Sequence, residues 1–248
     1  MCFSPEMDLA AGTVITLVGI DALRRADRKE LVPFAALPLL FGTHQLVETF
    51  VWWRLQGHVS QSCGDTASWV YVAIALLVVP IVVPIAVQAT GVGAPPALGR
   101  LFIAAGVCAA MFDIVGMARG WDPQIQGHRI AYNVDVPLNP LPLGLYVIAA
   151  CAPALLSRVR AMQLFGGTNL VVVALLVWLA QSALVSLWCV WAAFSSVLIN
   201  ISIRRLAASA PEHHRNSVEG WPWPPALWPR FPSTEVSSTS KNGADPCP

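Results

Sequence analysis

Ionisable and polar side chains are scarce inside the long apolar runs of this chain, so the few that occur stand out. His44, Gln45 and Glu48 fall together in one run, with Trp52 one turn beyond Glu48; Asp113 lies amid Ala109, Ala110, Met111, Phe112 and Ile114. Near the last run stand Gln181, Ser182, Trp188 and Cys189. Charged groups in such segments are costly to bury and mark sites of function by default. The i,i+4 spacing sets His44 and Glu48 on one helix face. There an imidazole and a carboxylate offer two ligands of a metal centre, which Asp113, or His128 from a polar stretch further on, would complete. The same groups also suit a proton relay, a general base at Glu48 or Asp113, or an interhelical hydrogen-bond clamp. The His-x-x-x-Glu pattern lacks the second histidine that makes a zinc-protease helix specific, so spacing alone does not choose among them. Trp52, Trp53, Trp188 and Trp191 read as interfacial anchors first and pocket walls second.

These residues need elements to hold them. A span requires about 20 mostly apolar residues to cross about 30 Å of hydrocarbon. The first such segment is predicted over Pro5–Leu23, with Ser4 as cap, Pro5 in the first turn, and Glu6 and Asp8 at the positive end of the helix dipole. The second runs Leu31–Leu55 and carries Pro33 and Pro38; the third runs Ala67–Val87 and should bend at Pro80 and Pro84. Leu101–Met117 is the fourth, followed by a polar loop from Gly120 to Asp135, and Leu138–Leu156 is the fifth. The stretch from Gln163 to Ile203 is too long for one crossing and right for two, Leu164–Leu179 and Leu184–Ile203, with the turn at Ala180 to Ser182. Beyond Arg205 the composition changes to Pro, Trp, Ser, Glu and His, and residues 206–248 read as a disordered cytoplasmic tail.

Lys and Arg resist translocation, so their distribution gives direction. Arg24, Arg25, Arg28, Lys29, Arg100, Arg158, Arg160, Arg204 and Arg205 fall at one set of ends, against Arg54, Arg119 and Arg129 at the other. The expectation is therefore an all-α, polytopic bundle of seven transmembrane helices in the cell membrane, with the N-terminus outside and the C-terminus cytoplasmic. Composition agrees: 56% of the 248 residues are hydrophobic and 12% charged, against about 25% charged in a soluble domain. A formal net charge of +1 supplies no phosphate-binding surface, so the expected partner is the lipid bilayer and not nucleic acid. Cys2 and Cys63 are both predicted outside, where a disulfide is allowed; a pair of separate thiols is the alternative.

Helix rise then gives depth. His44 and Asp113 lie about 20 and 18 Å from the inner ends of their helices, and Cys189 about 10 Å below the outer surface, which predicts one polar layer in the outer half with Glu48 one turn above it. The start Met1-Cys2-Phe3-Ser4-Pro5-Glu6, the run Leu37-Pro38-Leu39-Leu40-Phe41-Gly42 with His44-Gln45-Leu46-Val47-Glu48 and Trp52, and Ser186-Leu187-Trp188-Cys189 before Ala192-Ala193 occur in order. In these the chain resembles an uncharacterised family of bacterial multi-pass membrane proteins, a domain of unknown function. The resemblance spans residues 1 to about 205 and implies an architecture and marked positions, not a reaction. The residues admit both an enzyme and a binding protein, and they name no cofactor. The reading adopted is a protein that binds or senses a small ligand or lipid in a polar pocket of the outer half, formed by His44, Gln45, Glu48, Trp52, Asp113, Trp188 and Cys189. The alternative is a membrane-embedded hydrolase, with or without a metal.

Overall fold

Ser4 caps the first helix as its position suggests: its Oγ accepts from the Met7 amide at 3.4 Å, and Pro5 opens α1, Pro5–Arg25. The computed structural model describes residues 4–137, 140–179 and 184–208. The turn at Ala180 to Ser182 and the tail from 209 onward lie outside them. Within them α1 is followed by a 3-10 turn, Lys29–Leu31, then α2, Val32–Ala35, and α3, Leu37–Leu55. The predicted second helix is thus divided at Ala36, because Pro38 has no amide to give the carbonyl of Phe34. Next come α4, Gln61–Ala73, a π-helical segment, Ile74–Val78, and α5, Val79–Ala89, which make one rod; α6, Pro96–Ala118, follows. After the strands β1, Pro123–Gln126, and β2, Arg129–Tyr132, the chain ends its described part with α7, Pro140–Leu155, α8, Arg160–Leu179, and α9, Leu184–Ala208. The described helices therefore form seven rods.

Three of these rods are long and apolar enough to cross a membrane: Lys29–Leu55, Gln61–Ala89 and Pro96–Ala118. Their outward faces carry what a soluble protein would bury. Leu101 and Met111 of α6 are each 61% exposed, a belt suited to contact with lipid.

Irregular backbone in the third rod begins before Pro80 and Pro84. The helix widens into the π segment just before Pro80, and two side chains bind carbonyls on either side of its start: His44 Nε2 contacts Tyr71 O at 3.1 Å and the Tyr146 hydroxyl donates to Ala75 O at 3.1 Å. Pro84 leaves the carbonyl of Pro80 without its helical donor, and Gly106 of α6 packs directly on that oxygen, where a side chain has no room.

The polar stretch expected as a loop contains an antiparallel hairpin, so the fold is not wholly helical. Pro123 pairs with Tyr132 and Gln126 with Arg129, and Gly127 turns the chain at φ +64°. Strands of four residues are too short to show a period-2 pattern against a polar background, although a glycine in a two-residue turn is a hairpin's usual requirement. The hairpin is anchored by Ile130, buried among Val51 and Trp52, and by Trp121, whose indole donates to Ser68 Oγ at 2.9 Å.

The most extensive helix contact among the described residues is between α1 and α3. Pro5, Asp8, Gly12, Ile15, Gly19 and Ala22 form the buried stripe of α1, spaced three and four residues apart. A Cβ on Gly19 would stand 2.6 Å from the Leu39 amide nitrogen, one on Gly12 2.9 Å from the Leu46 side chain, and one on Gly42 2.6 Å from the Thr16 amide nitrogen. Backbone therefore meets backbone, as in small-residue membrane interfaces. At the other end of α1, Asp21 accepts from Arg25 at 2.8 Å and from Asn200 of α9 at 3.0 Å. Replacing Gly19 by Ala forces the two backbones apart and should destabilise the protein by about 1–3 kcal/mol, read as a lower melting temperature in detergent. Gly167→Ala, whose new Cβ meets only Leu155 Cδ2 at 3.7 Å, should leave melting unchanged or raise it.

Candidate functional site

The glycine contact between α1 and α3 brings Asp8, on the same stripe of α1, against Gln45 of α3. Gln45 Nε2 donates to Asp8 Oδ1 at 2.6 Å and lies 3.3 Å from Glu48 Oε2, so one carboxamide bridges two carboxylates. Asp8 is 0% exposed, and Gln45 and Glu48 are 1% exposed. Trp52, a turn beyond Glu48, is buried at the same face, and its indole nitrogen and the Tyr71 hydroxyl are both shielded from solvent. Thr49 continues the row of α3 residues Leu39, Gly42 and Leu46 that meets α1, and its hydroxyl is buried.

His44 is on this helix face but turns to the other side of Tyr71. Its ring stacks on that of Tyr71 at 4.0 Å and 11°, and Tyr71 stacks on Tyr132 at 4.7 Å and 21°. An aromatic column thus runs from α3 through α4 to β2, and Tyr71 touches both halves of the site: its ring the histidine, its hydroxyl the carboxylate. With Nε2 directed at a backbone carbonyl, His44 is committed as a hydrogen-bond donor to α4.

Of the residues singled out by sequence, His44, Gln45, Glu48 and Trp52 come together. Asp113 does not join them. It lies on the buried face of α6, which packs against α5, the π segment and α7, and its charge is felt by Tyr146. His128 is exposed at the hairpin turn. Among the described residues no group of three His, Cys, Asp or Glu side chains is arranged to hold a metal. The side chains of Trp188 and Cys189 lie outside the described residues, and so does Cys2, while Cys63 is exposed in the first turn of α4. Asp8 is the residue that sequence reasoning missed, having assigned it to the helix dipole. A signal was present: Asp8, Gly12, Ile15 and Gly19 share the spacing of a packed stripe, and an acidic residue on a glycine-lined face is destined for the neighbouring helix.

A groove of about 610 Å³ opens between β1 and the end of α3. Arg54, Leu55, Val59, Asp122 and Ile125 are among its walls.

A family model described as a family of unknown function, DUF6629, matches residues 1–214. No curated protein and no solved structure matches the chain.

Removing the bridging amide strands buried oxygens on both neighbouring helices. Gln45→Leu should cost about 1–3 kcal/mol, and a double-mutant cycle with Asp8→Leu should return a coupling energy of about 0.5–3 kcal/mol. Additive melting shifts would show that the contact between Asp8 and Gln45 carries no weight.

Proposed function

The chain belongs to the DUF6629 family, whose function is unknown, and on that premise we propose a multi-pass membrane protein that binds or senses a small ligand or lipid from the outer side. Seven crossings would put the termini on opposite sides, the N-terminus outside and the tail in the cytoplasm on this reading. The distribution of Lys and Arg supports this direction, since Arg24 and Arg25 end α1, Arg28 and Lys29 follow it, and the end of α9 carries Arg204 and Arg205. On this orientation the carboxylate pair lies near the outer ends of α1 and α3, under the hairpin.

The observation that carries the reading is the Asp8–Gln45–Glu48 bridge. Two carboxylates buried around one amide are a costly way to join helices whose glycines already lock together, and apolar side chains of similar size would join them with less desolvation. Groups kept in a span at that cost serve binding, proton movement or catalysis. The aromatic column gives the site a wall on α4, and the hairpin closes it toward the outside, so a ligand enters where Tyr132 lifts from Tyr71.

Access is the property that separates a binding site from a sealed clamp. With the native cysteines replaced by serine or alanine, Gln45→Cys should react in intact cells with a small membrane-impermeant methanethiosulfonate, while a reporter fused after Arg205 reads cytoplasmic. An unreactive thiol would mean a closed structural clamp. Turnover of an ester or amide by the purified protein, lost in Glu48→Gln, would select the hydrolase instead.

A further inference from the structure

The groove between β1 and α3 has walls of opposite charge. Arg54 stands in the last turn of α3 with its side chain only 19% exposed. Its stem crosses Gly64 of α4 so closely that a Cβ there would overlap it, and its NH2 nitrogen is held by Asp65 Oδ1 at 2.9 Å. The guanidinium is thus fixed from two directions. A guanidinium has five N–H donors in a rigid fork, and a single bond to Asp65 leaves others for a second anion. Across the groove Asp122 is exposed and holds Gln124 Nε2 at 3.2 Å. Leu55, Val59 and Ile125 supply apolar surface between the two.

Position narrows the ligand. The groove opens at the end of a rod long enough to span a membrane. Phe50 and Trp53 meet edge to face at 5.2 Å on the turn below it, and Trp121 stands at the entry to the hairpin. Such aromatic residues belong at the level of lipid headgroups. A ligand bearing only negative charge would face Asp122 and Asp65, and one bearing only positive charge would face Arg54. A zwitterion satisfies both walls, and acyl chains suit the apolar surface beside them. The groove is shallow and open along one side, as the seat of a headgroup whose acyl chains lie elsewhere must be.

We propose that this groove holds the headgroup of a zwitterionic phospholipid, with the phosphate on Arg54 and the ammonium on Asp122. The inference rests on the outward-facing membrane reading given above. The hairpin then serves twice, β1 forming the lipid site and β2, through Tyr132, the cover of the carboxylate pair.

The test is lipid binding by the delipidated full-length protein in detergent, followed by native mass spectrometry and melting temperature. The probes are phosphatidylethanolamine, phosphatidylglycerol, free phosphoethanolamine and inorganic phosphate. Phosphatidylethanolamine should bind in preference to phosphatidylglycerol. Asp122→Asn, a surface change that spares the fold, should reduce that preference about tenfold, the worth of one hydrogen bond to a charged group. Arg54→Lys should weaken both lipids while keeping the ion pair with Asp65. Equal binding of the two lipids, or a preference that survives Asp122→Asn, overturns the proposal. Free phosphoethanolamine or inorganic phosphate binding as tightly as the lipid overturns the lipid assignment. Binding in detergent does not depend on which way the groove faces. Impermeant labelling of Asp122→Cys reports that separately, and labelling from the inside alone would overturn the orientation and not the ligand.

Discussion

The contact on which the rest of the structure depends is the one between α1 and α3, where Gly12, Gly19 and Gly42 remove the side chains that would hold two helices apart. Close van der Waals contact and interhelical hydrogen bonds are the two forces that join helices through such small-residue faces. The glycines provide the first and make the second possible. Asp8 has a short side chain, and it reaches Gln45 only because the backbones beside it nearly touch. A wider interface would leave the buried carboxylate without that donor, and its burial would be far more costly.

The second half of the site depends on irregular backbone. The third rod widens into a π segment just after Tyr71, and His44 and Tyr146 bond the carbonyls of Tyr71 and Ala75 from two different helices. Helical irregularity inside a membrane protein survives where neighbours satisfy the freed groups, and single π turns recur at functional positions. Here the irregular turn ties α4 to the face of α3 that carries Gln45 and Glu48. The hairpin then adds Tyr132 to the column from outside the rods. Helix contact, π segment and hairpin thus converge on Tyr71, which is 1% exposed and touches all three.

Asp113 illustrates how depth can mislead. Helix rise places it level with His44, and that inference concerns one coordinate. Azimuth is the other, and it depends on which neighbour a helix selects. Gly106, on one face with Asp113 at seven residues' separation, packs α6 on the carbonyl of Pro80, so that face of α6 is set against the third rod. The family match over residues 1–214 agrees with the resemblance seen in the three ordered motifs and leaves the chemistry to be argued from the site.

The sequence by itself determined the helical segments, the cap at Ser4, the apolar lengths and the face shared by His44, Gln45, Glu48 and Trp52. These follow from local rules: capping, 3.6-residue periodicity and the thickness of a bilayer act within one segment at a time. Asp8 as a partner of Gln45, the π segment before Pro80, the hairpin in the polar loop and the separation of Asp113 were decided only by tertiary structure. Each depends on which surfaces meet across distant parts of the chain, and a glycine, a freed carbonyl or a short strand takes its meaning from the element placed against it.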